Sequence, residues 1–171
     1  MKISELRNLC FEYELKDREI LSLFSDDELE QFYNGAGPDS WKPEYRNKLT
    51  TAMSLFEPVV LIHDTQFFMS DGSTEGFKHT VDVWKENCKI IFNKKYPFWT
   101  TKIFSSKYRR ERLYWRGVMH ATIIAIATNS AKDAWNAAYK KRQNAQTKLF
   151  ATNNCSAINI IVAVLNSFVC P

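Results

Sequence analysis

The chain has 171 residues, is 45% hydrophobic and 25% charged, and carries 23 basic against 19 acidic side chains, a formal net charge of +4. That balance describes one globular domain able to bury its own core, and it excludes a disordered chain. The mild positive excess suits an anionic partner such as a phospholipid surface but falls well short of a dedicated nucleic-acid domain, so no nucleic acid is expected.

The first stretch, MKISELRNLCFEYELKDREI, places Ile3, Leu6, Cys10 and Tyr13 at helical spacing. It reads as an amphipathic helix and lacks the pattern of a signal peptide. Ser25-Asp26-Asp27-Glu28 is a capping box ahead of Leu29, Phe32 and Tyr33, and that short helix stops at Asn34-Gly35. NGAGPDSWKP follows and holds two of the five Gly and two of the five Pro, which marks the clearest loop in the chain. Pro58 suits a helical first turn and opens PVVLIHDTQFFM, which ends near Ser70-Asp71-Gly72. Ser73 or Thr74 caps the next helix, which runs to about Asn93 with Phe77, Val81, Trp84, Cys88 and Ile91 as its apolar stripe, before Tyr96-Pro97 breaks it.

A basic, aromatic link, KKYPFWTTKIFSSKYRRER, leads to one long helix from about Glu111 to Arg142, with Leu113, Val118, Ile124, Ala131 and Trp135 among its apolar positions. From Gln143 to Asn154 the chain is polar and irregular, and Ile158 to Val169 reads as a core element, too short and too interrupted for the roughly 20 apolar residues of a membrane span. The architecture expected is therefore a single all-α domain over 1–171. It has a central antiparallel helix pair preceded by a glycine-containing loop, a long C-terminal helix, and a tail over 143–171 that the sequence assigns neither to the core nor to the surface.

Cys10, Cys88, Cys155 and Cys170 have no C-x-x-C spacing and no close His, so zinc is disfavoured and free buried thiols in a reducing compartment are expected. No nucleophile elbow, P-loop or H-E-x-x-H motif is present. Of the three His, His79 reads as a surface residue and His120 as a hydrogen-bonded core residue. His63 differs, because it stands beside Asp64 inside an otherwise apolar helix. Burying both groups costs several kcal/mol unless each is satisfied. The pair is either a satisfied core His next to a surface Asp, or a functional pair facing the loop upstream. There Tyr33-Asn34-Gly35-Ala36-Gly37-Pro38 can fold tightly, with carbonyls free to converge on a hard cation such as calcium.

YNGAGP at Tyr33–Pro38, followed by HDTQF at His63–Phe67, resembles the calcium-dependent phospholipase A2 superfamily, in particular the disulfide-free domains of parvovirus minor capsid proteins and short phage-encoded relatives. The likeness spans about 32–93. It implies hydrolysis of the sn-2 ester of a phospholipid. The carbonyls of Tyr33, Gly35 and Gly37 with the carboxylate of Asp64 would bind Ca²⁺, the Gly35 N–H would help hold the oxyanion, and His63 would be the general base that activates water. An acid on the following helix would grip the other imidazole nitrogen. Asp82 is the candidate for it; it lies about 100° from the Val81 stripe, beside Lys78, Lys85 and Lys89, and is equally readable as a Lys-paired surface residue. Phe67 stands where the family usually has Tyr, and the connection WKPEYRNKLTTAMSLFE is longer than in compact secreted members and reads as an extra helical turn or lid. The alternative function is a non-catalytic binding or structural protein, of phage or mobile-element origin, that keeps the helix pair.

Aromatics beside cations between Asn93 and Arg112 suit a lipid interface, for which Trp41, Lys94, Lys95, Phe98 and Trp99 are the candidates, on a face near the His63 cleft. The expected location is the cytoplasm or the interior of a virion.

Overall fold

The computed structural model describes residues 1–33, 35–37, 42–100, 102 and 105–145. Every regular element among them is helical: α1 (Ile3–Glu12), a 3₁₀ segment (Arg18–Leu23), α2 (Asp26–Phe32), α3 (Pro43–Ala52), a second 3₁₀ turn (Ser54–Phe56), α4 (Glu57–Phe68), α5 (Thr74–Lys95), α6 (Ser106–Ile126) and α7 (129–145). The chain is all-α, as its composition and spacing predict.

The local chemistry sets the boundaries. Ser25 accepts a hydrogen bond from the Glu28 N–H while the Glu28 carboxylate accepts from the Ser25 N–H at 2.8 Å, so the capping box opens α2. Ser73 caps α5 by accepting from the Gly76 N–H at 2.8 Å. Pro58 occupies the first turn of α4, where its missing N–H costs nothing.

α4 is the axis of the fold. Val59, Val60, Leu61 and Ile62 are all buried, and four consecutive helical positions point all the way round the helix. It is surrounded accordingly, by α1, α2, the Arg18–Leu23 segment and α5. α5 follows α4 through the short Met69–Ser73 turn. His63 meets Trp84, and further on along α4 and further back along α5, Phe67 and Phe77 both meet Trp135, so α4 and α5 run antiparallel. α6 packs back along α5, with Tyr108 against Tyr96 and Arg112 over Phe92. Cys10 and Cys88 are free and buried. Burial pushes the Cys10 thiol up to about 12 and raises that of Cys88 as well.

Two expectations are corrected. The single long helix from Glu111 to Arg142 is two helices: α6 starts earlier, on the Ser105 cap, and stops at Ala127, after which the Thr128 hydroxyl accepts from the Ala131 N–H at 3.3 Å and starts α7. His120 is exposed on α6 and not part of the core. The connection after the glycine loop forms α3, a full helix with Pro43 in its first turn and no buried side chain. Cys155, Cys170 and the Ile158–Val169 run lie outside the described residues. No helix among the described residues is long and apolar enough to cross a membrane.

Candidate functional site

α4 turns His63 toward Trp84 of α5, while Asp64, the next position along, is close enough to Tyr33 to act on its phenol. The His63 side chain is 17% exposed and that of Asp64 10%, so both are nearly withdrawn from water but not sealed. The imidazole lies against the Phe67 ring, one turn further along α4, with centroids 4.3 Å apart, and meets the Trp84 indole of α5 at 4.9 Å and 77°. Its Nδ1 is 3.3 Å from Asp64 Oδ1. An ionised carboxylate only accepts hydrogen bonds, so a neutral imidazole that donates to it from Nδ1 keeps its Nε2 lone pair as an acceptor. Trp84 is buried, and its indole N–H has no hydrogen-bond partner among the described residues.

The wall behind His63 is carried by α7. Trp135 is 4% exposed, donates from its indole to the Ser73 carbonyl at 3.1 Å, and stands edge-on to Phe67 at 5.3 Å. Its own carbonyl accepts from the Ser70 hydroxyl at 3.1 Å, and the Arg142 guanidinium donates to the carbonyls of Phe68 and Ser70. A chain of rings, Trp135, Phe67 and His63, thus couples α7 to the imidazole.

The glycine loop is tied to α3 and α4. Gly35 and Gly37 have φ of +81° and +111°, the left-handed region that glycine alone adopts freely. The Ala36 N–H donates to Thr50 Oγ1 at 2.9 Å, and a Cβ on Gly35 would come within 2.8 Å of that oxygen. The Tyr33 hydroxyl donates to Glu57 Oε1 at 3.1 Å, and the Met1 amino group is 3.3 Å from the same oxygen. Burial first, then the charge of Glu57 and more weakly that of Asp64, raise the Tyr33 phenol well above its ordinary value, so it stays a donor. Among the described residues no hydrogen bond ends on the carbonyls of Tyr33, Gly35 or Gly37. The carbonyls of Tyr33, Gly35 and Gly37 and the Asp64 carboxylate are all oxygen donors, the kind a calcium ion prefers. Among the described residues no group of three or more His, Cys, Asp or Glu side chains could hold a metal by itself.

Asp82 is not brought to His63. It is exposed on α5, while Thr80, Val83, Trp84 and Asn87 turn inward, and at 100° per residue it points nearly opposite to them. It forms neither a hydrogen bond nor an ion pair among the described residues, the lysines beside it included. The carboxylate that does meet the imidazole is its own neighbour, Asp64, whose adjacency is visible in the sequence but whose side chain swings back across the 100° between consecutive positions.

A second His–Asp contact escaped the sequence reading. His79 is exposed as expected, yet its Nε2 is 2.7 Å from Asp17 Oδ2, which also accepts from Gln66 at 2.8 Å. Asp17 sits in a left-handed turn at φ +58°, 62 residues away, and no local pattern links it to His79.

Of the interface candidates, Trp99 is 91% and Phe98 56% exposed, and Lys95 is exposed. Lys94 is exposed as well but is tied down: its Nζ donates to the carbonyls of Glu12 and Tyr13 and pairs with Glu14 at 3.7 Å. Trp41 lies outside the described residues. These aromatics are not beside the His63 cleft. Lys95 is eleven residues beyond Trp84, which at 1.5 Å per residue separates the two by about 16 Å along α5. No family model, no curated protein and no solved structure matches this chain.

Proposed function

We propose that the chain hydrolyses a carboxylic ester of a phospholipid, the sn-2 ester by its resemblance to the phospholipase A2 superfamily, with His63 as the base. The observation that carries this reading is the near-buried imidazole with Nδ1 3.3 Å from Asp64 Oδ1; in the proposed reaction the neutral ring donates there and Nε2 accepts a proton from water. Asp64 takes over the positioning role expected of Asp82. Phe67, Trp84 and Trp135 hold the ring and keep bulk water away from one side of it. The carbonyls of Tyr33, Gly35 and Gly37 with the Asp64 carboxylate would hold Ca²⁺, and the Gly35 N–H would be the backbone donor to a developing oxyanion. When bound, the ion supplies positive charge for the ester oxygen.

The non-catalytic reading has its own support in the exposed position of Asp82 and in Trp84 standing where an acid from α5 would reach the imidazole. One experiment separates the two. His63→Asn should lower hydrolysis of a short-chain phospholipid by about 10²–10⁴-fold while the helical circular dichroism is unchanged. Ca²⁺ at a hundredfold excess over its Kd should add about 2.7 kcal/mol of stability, seen as a raised Tm, and Asp64→Asn should remove that rise. A wild-type chain without hydrolysis and without a Tm response at millimolar Ca²⁺ would establish the binding-protein reading.

A further inference from the structure

The segment 94–116 carries eight basic side chains and one acidic one, a local charge of +7 against +4 for the whole chain, which leaves −3 for everything else. The positive excess of the protein is thus gathered at one corner, where α5 ends and α6 begins. The same corner exposes apolar surface. Phe98 and Trp99 stand edge to face at 5.1 Å on the connection between the two helices. The Arg112 guanidinium lies over the Phe98 ring at 5.7 Å and joins this aromatic tip to a shallow depression on α6 lined by Arg109, Arg112, Leu113 and Arg116. Leu113 is 72% exposed in the middle of the three arginines. Arg112 is fixed by donating to the Tyr96 carbonyl at 3.4 Å.

We infer that this corner, Phe98 and Trp99 with Arg109, Arg112, Leu113 and Arg116, docks the protein on an anionic phospholipid bilayer. The arginines match the negative charge of the headgroups, and the planar guanidinium suits bidentate contact with phosphate. Trp99 and Phe98 are of the type that partitions to the boundary between headgroup and acyl chain. Leu113 decides between a bilayer and a nucleic acid. An aliphatic side chain among arginines has an acyl boundary to enter, but it cannot stack on a base. The inference is independent of catalysis: among the described residues no hydrogen bond, ion pair or ring contact joins these six side chains to His63.

The test uses the full chain carrying His63→Asn, so that lipid turnover cannot interfere, in flotation with phosphatidylcholine vesicles and with 70:30 phosphatidylcholine:phosphatidylserine vesicles at 0.1 M NaCl. Binding at least tenfold tighter to the phosphatidylserine vesicles is expected, falling as NaCl is raised. Arg109→Glu with Arg116→Glu, both at exposed positions, should abolish the preference. Trp99→Ala should weaken binding several-fold at every salt concentration. Equal binding to the two vesicles, no binding to either, or tighter binding to a 30-nucleotide single strand than to the anionic vesicles would overturn the proposal. Failure here is distinct from failure of the hydrolase reading, because hydrolysis of a monomeric short-chain phospholipid by the chain with His63 intact should be the same with and without the two arginine substitutions.

Discussion

Trp135 is the one buried side chain described in α7, and its removal should release that helix without unfolding the rest. Truncation of a buried Trp to Ala costs about 3–5 kcal/mol through lost burial and the cavity left behind. Here the loss includes edge-to-face contact with Phe67 at 5.3 Å, worth about 1 kcal/mol. It also includes the indole bond to the Ser73 carbonyl, worth about 1 kcal/mol more. Because the remaining polar anchors of α7 on the α4–α5 turn come from Arg142 and Ser70, we expect Trp135→Ala to cost about 4 kcal/mol and to express it locally. Trp135→Phe keeps most of the ring and should cost about 1–2 kcal/mol. Native-state hydrogen exchange measures both: amides over 129–145 should lose protection by those amounts, while amides of α1 and α4 keep theirs. The hydrolysis proposed for His63 should fall with Trp135→Ala, since Phe67, which lies against the imidazole, loses its support. Equal losses for the two substitutions, or α7 amides as protected as in the wild type, would refute the anchor.

Gly35→Ala should strain the loop twice, through its φ of +81° and through the 2.8 Å approach to Thr50 Oγ1, and cost about 1–3 kcal/mol. Thr50→Ala relieves the clash but not the backbone strain and also removes the acceptor of the Ala36 N–H, so urea titration should find the double variant less stable than Thr50→Ala alone; equal stability of those two would show that the backbone is unstrained. The two buried thiols predict alkaline sensitivity. Their native pKa values are raised above 9.0, with Cys10 at about 12, so above pH 9 the unfolded chain binds fewer protons than the native one. That stabilisation is complete below pH 9 and is lost as pH rises through the window up to about 12, by about 1.4 kcal/mol per pH unit and thiol. Urea midpoints at pH 8 and pH 10 should therefore differ less for a Cys10→Ala/Cys88→Ala variant than for the wild type.

Much of the fold is written locally. Ser25, Ser73 and Pro58 mark helix starts by hydrogen bonds or missing donors within three residues of themselves, and such short-range chemistry is readable from order alone. The break between α6 and α7 was missed because no Gly or Pro marks it and the apolar spacing runs on across it. The only sign was Thr128-Asn129-Ser130, a cluster of cap-forming residues that the structure uses at Thr128. The site was legible as far as His63, Asp64 and the two glycines. Its partners were not, because they follow from which way α5 rotates and from where α7 returns. A rotation that buries Trp84 sends Asp82 outward, and a contact such as Trp135 to Phe67 bridges 68 residues.

If the chain both docks on a bilayer and hydrolyses its lipids, as proposed, the distance of about 16 Å along α5 between Trp84 and Lys95 constrains how it does so. Were the α5–α6 corner to touch a bilayer with α5 upright, His63 would hang in water above the headgroups, out of reach of any ester still in its leaflet. Attachment and turnover are compatible only if α5 lies nearly flat on the surface. A protein tilted that way would work as a rocker, with the arginine corner as its heel and the imidazole brought down at the toe.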